Sequence, residues 1–257
     1  MNSKILVATH KQYHFPHHAI YTPIHVGKAL TSNEFGYLSD NTGQHMSDKN
    51  RHFCELTALY WAWKNHFFSN YQYVGMVHYR RYFSGKLPFK NFSILSEKEI
   101  IEYMRDHDMI LPQKRNYYIE TVKSHYAHAH NLSDLLQTRE IIAQKHSSYL
   151  PAFDTLMQQK KLYLYNMFVM KEEAFSHYMN WLFDILFTLE SHIDVSSYDI
   201  YQRRVFGFLS ERLFNVWIIH HQPRIKEVKV INLEGENKPF KAWKMIKRKF
   251  LQKDIKN

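Results

Sequence analysis

The chain is short of the residues that announce a simple chemistry. It has one cysteine, Cys54, which excludes an internal disulfide framework and fits a reducing compartment. That thiol lies in a helical stretch and reads as buried packing rather than a nucleophile. Seven glycines and seven prolines in 257 residues leave no flexible linker before about residue 230. One domain over 1–235 with a tail over 236–257 is therefore expected. No G-x-x-x-x-G-K-[ST], G-x-G-x-x-G, G-x-S-x-G or H-E-x-x-H pattern occurs, so the common NTPase, dinucleotide, hydrolase and zinc-protease readings lack their motifs. No repeat of fixed period is present. Nor is there a run of roughly 18 uncharged apolar residues to span a membrane. The short apolar stretch Ile5–Ala8 does not make a secretory leader, which predicts a cytosolic protein.

What is abundant is aromatic and basic. Hydrophobic residues make up 45% of the chain and aromatics 16%, enough for a large core. The formal charge of +10 suggests nucleic acid at first sight, but its distribution argues against it. Residues 238–257 hold eight Lys or Arg against one Asp, about +7, and leave the body near +3. In that tail Phe240, Trp243, Ile246 and Phe250 recur at helical spacing beside the lysines. This pattern predicts a basic amphipathic helix lying on anionic lipid, with a solubilising or RNA-binding tail as the alternatives.

Strand and helix patterns alternate. Strands are expected at Lys4–Ala8, Tyr73–His78, Met109–Leu111, Leu162–Met170 and Glu227–Ile231. Helices are expected from Ser47 or Asn50 to about Phe67, and near 97–105, 133–146, 151–159, 172–189 and 201–220. Such alternation implies a three-layer α/β sandwich with a mainly parallel sheet.

The most informative stretch is Tyr73-Val-Gly-Met-Val-His-Tyr-Arg-Arg-Tyr-Phe83, an apolar run that ends in hydrogen-bond donors and positive charge. In open α/β sheets the carboxyl end of a strand is the binding crevice, and two arginines there suit phosphate or carboxylate. The alternative is a surface loop paired with nearby carboxylates. Asp106-His-Asp108 matches the D-x-D pattern of metal-dependent nucleotide-sugar transferases, but it precedes a strand instead of closing one. It reads as a solvated approach to Met109–Leu111, so a metal-free site is favoured, with manganese or magnesium the alternative. His125, His128 and His130, two and three residues apart, read as structural or substrate-contacting in an extended segment.

Six motifs then occur in one order: Asp40-Asn-Thr-Gly43, Ser47-Asp-Lys-Asn50, Cys54-Glu-Leu-Thr-Ala-Leu-Tyr-Trp-Ala-Trp-Lys-Asn65, Val74-Gly-Met-Val-His-Tyr-Arg-Arg-Tyr82, Tyr165-Asn-Met-Phe-Val169 and Arg204-Val-Phe-Gly-Phe-Leu-Ser-Glu-Arg-Leu213. Together, over about residues 4–233, they resemble a bacterial family long described only as a domain of unknown function and found in capsule and O-antigen gene clusters. The resemblance implies a GT-A-like, Rossmann-like glycosyltransferase, with galactofuranosyltransferases using UDP-galactofuranose among its members. It also implies a polyprenyl diphosphate-linked saccharide acceptor at the inner leaflet, so a peripheral membrane location is expected. The rival readings are a metal-dependent transferase with a pyranose donor and a non-catalytic module binding nucleic acid or acidic glycan.

From their place at the first strand-to-helix crossover of a Rossmann-like half, Thr9, His10, Lys11 and Asp40 are expected to hold the nucleoside. Lys49, Asn50, His78, Tyr79, Arg80 and Arg81 are expected around the diphosphate. His128, His130, Asn166, Met167 and Arg204 fall to the acceptor and its sugar hydroxyls. Glu211 is the expected general base of an inverting transfer, with Asp199 second; an ion pair to Arg204 or Arg212 is the competing role for Glu211.

Overall fold

The computed structural model describes residues 2–235; the expected tail helix, 236–257, lies outside them. β1 (Ser3–Thr9), β2 (Tyr21–His25) and β3 (Leu38–Ser39) are followed by a 3-10 turn at 47–49, α1 (Asn50–Phe53) and α2 (Leu56–Lys64). β4 (Tyr73–His78), β5 (Arg81–Phe89), β6 (Phe92–Ile94), α3 (Glu97–Asp106), β7 (Met109–Pro112) and β8 (Arg115–Asn116) come next. The remainder is α4 (Val122–Ala129), α5 (Leu132–Lys145), α6 (Leu150–Gln158), β9 (Lys161–Leu162), β10 (Phe168–Lys171), α7 (Glu172–Glu190), α8 (Val205–His221), β11 (Ile225–Val228) and β12 (Val230–Asn232).

The main sheet runs β11-β7-β10-β4-β1-β2-β3. All its pairs are parallel except those of β10, which is antiparallel to both β4 and β7. β5 turns straight back from β4, with Arg81 opposite His78, and pairs with β6 and β12.

The sheet is buried on both faces, which is why its strands read as continuous apolar runs. Along β1 and β4, Leu6, Ala8, Val74 and Met76 pack into a core covered by α2, α6, α7 and α8. Their neighbours Ile5, Val7, Tyr73 and Val77 pack on the other side with Tyr82, Phe83, Ile94, Ile100 and Met104 of β5, β6 and α3. The expected three-layer, mainly parallel α/β architecture is the one observed. At Gly75 a Cβ would run into the Phe168 carbonyl and the Val169 side chain, so the glycine is what lets β10 lie against β4.

Local departures have physical causes. The expected Ser47–Phe67 helix breaks at Cys54 (φ 54°, ψ −134°), and neither Ser47 nor Asn50 caps it. Ser47 instead donates its hydroxyl to Asp40, and the Asn50 amide takes the Cys54 carbonyl that the break releases, at 2.7 Å. The histidine segment is helix α4, not extended, started by a Thr121–Ser124 capping box. The expected strand 162–170 divides into β9 and β10 because Tyr165 and Asn166 adopt φ of 78° and 50°. The last strand divides likewise: β11 stays beside β7 while β12 crosses to β5. β2, β3, β5, β6 and β8 were not among the expected strands.

Candidate functional site

β1 and β4 are parallel and in register, Ala8 beside His78, so their carboxyl ends bring Thr9, His10 and the His78–Arg81 turn to one sheet edge. This edge is one wall of a cleft of about 820 Å³, within the range of small-molecule sites. The His78 Nε2–H donates to the Tyr165 carbonyl at 2.7 Å. Burial lowers its pKa, against the opposing pull of Glu55, and keeps the ring neutral near pH 7. His10 stands edge-on to Tyr79, centroids 5.4 Å apart. Its pKa is lowered first by burial, then by Lys11, Arg80 and Arg204, so cations from both walls act on it. The Arg81 guanidinium lies over the Tyr165 ring at 4.6 Å. Arg80 pairs with Glu234 at 2.7 Å, and Lys11 joins the same carboxylate at 3.3 Å.

The opposite wall is built from helix ends. The break at Cys54 turns the α1–α2 junction so that Arg51, Cys54 and Glu55 line the cleft. Cys54 holds a φ sparsely populated by non-glycine residues, a cost that clusters at functional sites. It packs against α8 where Gly207 leaves room: a Cβ there would meet Cys54 Sγ at 3.0 Å. The Arg204 Nε–H donates to that sulfur at 3.3 Å, yet burial pushes the thiol up to about 11, so it stays protonated.

Two carboxylates reach the cleft between these walls. Glu211, on the first turns of α8, accepts the Tyr165 N–H at 2.7 Å and an Arg212 guanidinium N–H at 3.1 Å. Burial raises its pKa, with Arg212 and the Tyr165 N–H opposing the rise. Glu55 accepts the Asn166 amide N–H at 2.8 Å, and the same amide donates to Ser210 at 2.9 Å. The two left-handed residues Tyr165 and Asn166 thus link His78, Glu55 and Glu211 across the cleft floor. Five arginines (Arg51, Arg80, Arg81, Arg203, Arg204) line a cleft holding two carboxylates. That arrangement can hold a polyanion by charge-assisted hydrogen bonds and present a carboxylate to a hydroxyl beside it.

Residues 4–222 match the family described as Domain of unknown function (DUF4422). The chain belongs to that family. No curated protein matches the DUF4422 chain. Among solved structures it is similar to the apo structure of the bifunctional glycosyltransferase WbbM, at 32% identity and a TM-score of 0.81 over 92% of this chain. It spans 46% of that protein's length. The DUF4422 fold described above is therefore GT-A-like, as expected.

Of the residues singled out from sequence, Thr9, His10, Asn50, His78, Tyr79, Arg80, Arg81, Arg204 and Glu211 line the cleft. Others are placed elsewhere. Asp40 is fully buried, accepting the Gly27 and Lys28 N–H groups and the Ser47 hydroxyl, so it shapes a loop and does not present its carboxylate. Lys49 pairs with Glu190 at 2.7 Å and does not line the cleft. Lys11 sits at the mouth on Glu234. Asp199 accepts the Gln202 N–H, closing a turn. Met167 is wholly buried in the core, and Asn166 is buried under the floor on Glu55 and Ser210. His128 pairs with Glu120, while His130, the C-cap of α4, stacks on Phe208 and bonds Gln202, and neither lines the cleft.

Asp108 takes a bidentate grip from Arg224 at 2.9 and 3.1 Å, which lowers its pKa to about 2. It precedes β7, at the sheet end opposite the cleft, because β7 runs parallel to β4. Among the described residues no group of three or more His, Cys, Asp or Glu is arranged to hold a metal. Sequence reading missed Glu55, Arg51 and Arg203. Glu55 left one signal, a carboxylate beside the lone cysteine at the head of an apolar helix.

Proposed function

We propose that the protein is a glycosyltransferase that takes a nucleotide-diphosphate sugar in this cleft. The observation that carries the reading is the pairing of an arginine-lined strand edge with two carboxylates across the cleft floor, on a fold shared with a glycosyltransferase. The nucleoside lies along Thr9 and His10. Arg80 and Arg81 face the diphosphate and offset the charge that develops on the leaving group. Displacing Glu234 from Arg80 is part of donor binding, since both anions seek the same guanidinium.

Glu211 deprotonates the acceptor hydroxyl. Its burial holds the carboxylate above the usual pKa range and makes it the stronger base. Glu55 is the second reading for this role, because only one of its oxygens has a protein partner among the described residues. Galactofuranose from UDP-galactofuranose, transferred with inversion and without metal to a lipid-linked saccharide of capsule or O-antigen type, is the substrate pair favoured by the sequence motifs. The basic tail would keep such an enzyme on the cytoplasmic face of the membrane.

A panel of UDP-sugars tested for thermal protection identifies the donor, since a ligand that binds only the folded state raises the melting temperature. Transfer is then followed with the protecting sugar in EDTA. Protection by none of them overturns the reading, and turnover lost in EDTA but restored by manganese overturns its metal-free form.

A further inference from the structure

One apolar side chain on a surface is ordinary, but Ile200 is not placed at random. It is the most exposed of the large apolar residues described, 87% accessible, and its neighbour Tyr201 is 52% accessible. Ile200 lines the cleft together with Arg51, Arg203 and Arg204.

The loop that carries it is fixed at both ends. The Tyr198 hydroxyl donates to Asp134 at 2.7 Å and accepts from Asn131 at 2.8 Å. Asp199 closes the next turn on Gln202 at 2.7 Å. The Arg203 Nε–H holds the Tyr198 carbonyl at 2.8 Å, and His52 reaches the Arg203 carbonyl at 3.0 Å, tying the loop to α1. The chain on either side of Ile200 is therefore anchored while its side chain stays exposed. Arg51, Arg203 and Arg204 line the cleft with it, and the carboxylate next to it in the chain, Asp199, is engaged in the turn.

A second feature stands at the same mouth. β12 pairs with β5, the Leu233 N–H donates to the Arg80 carbonyl at 2.9 Å, and Glu234 grips Arg80 and Lys11. The described body thus hands over to the basic, aromatic sequence 236–257 beside the cleft wall.

We propose that the cleft mouth is the face applied to an anionic lipid bilayer, with Ile200 and Tyr201 as an inserting lip and Arg51, Arg203 and Arg204 on the headgroups. An apolar knob ringed by guanidinium groups is matched to a surface that is negative outside and apolar a few ångströms in. The consequence is orientation: an acceptor carried by a lipid reaches the carboxylates without leaving the membrane. This rests on the reading of the cleft as the site of transfer.

The test uses the full chain and sedimentation with phosphatidylglycerol–phosphatidylcholine vesicles. Ile200→Asp is expected to lower partitioning about tenfold, the scale of one buried apolar side chain, while Ile200→Leu restores it. Leu136→Asp, at a residue 45% accessible on α5, changes it less than twofold. Donor-induced thermal protection of the unaltered protein, measured in parallel without vesicles, checks the reading of the cleft separately. Unchanged partitioning of Ile200→Asp overturns the proposal, as does an equal loss in Leu136→Asp. Absence of that protection strikes at the transferase reading instead.

Discussion

The two walls of the cleft are made differently. The strand wall comes from two short, contiguous stretches, Thr9–His10 and His78–Arg81, that a parallel register places side by side. The helical wall gathers Arg51, Glu55, Arg204 and Glu211 from helix ends more than 140 residues apart, and it depends on unusual backbone at Cys54, Tyr165 and Asn166. A sheet edge needs only pattern and register. A wall of helix ends needs individual residues held in costly conformations by their neighbours.

The sharpest way to break this comparison is Glu211→Gln. Loss of a general base is expected to cut kcat by roughly 10²–10⁴-fold with donor affinity retained, because the donor belongs to the other wall. If Glu55→Gln is instead the crippling change, the base is Glu55. Arg80→Ala and Arg81→Ala, on the strand wall, are expected to weaken UDP-sugar binding roughly tenfold to a hundredfold, the scale of one charge-assisted hydrogen bond; calorimetric titration reads it. Equal affinity would remove those arginines from the donor.

Gly207→Ala tests the strained junction. The new methyl meets Cys54, and an overpacked site of this kind costs about 1–3 kcal/mol in denaturant unfolding. The double change with Cys54→Ala should recover most of it.

A pH profile sharpens the role of Glu211. Its pKa is raised, so turnover climbs as pH rises through a value above the usual carboxylate range. Stability moves oppositely: the folded state holds this proton more tightly than the unfolded chain, so that contribution, present at acid pH, is lost as pH rises through the folded value. Glu211→Gln removes both limbs.

The smallest effect is expected at Asp108→Asn. It breaks an exposed pair with Arg224, worth about 0–1 kcal/mol, and leaves turnover unchanged. A large loss of activity there would revive the D-x-D motif as a metal site.

Legibility followed the same division. β1, β4, β7, α3, α5, α6 and α7 were readable because their apolar periods are clean. The Arg80–Arg81 turn was readable because charge ends an apolar run abruptly. Asp40 and Lys49 misled for an opposite reason: a charged residue near a motif says nothing of its partner, and Gly27, Ser47 and Glu190 supplied partners from elsewhere in the fold. α4 was hidden because its histidines look polar, although Tyr117, Phe208 and Tyr201 stack on them.

By itself the sequence determined a two-faced, mainly parallel sheet and the cationic end of its central strand, since burial on both faces forces continuous apolar strands and leaves charge only where they stop. The tertiary structure alone decided that Glu55 and Glu211 share one floor, that Asp108 is spent on Arg224, and that Ile200 stands at the cleft mouth. Each of these depends on contacts between segments distant in the chain, which no local pattern of residues can encode.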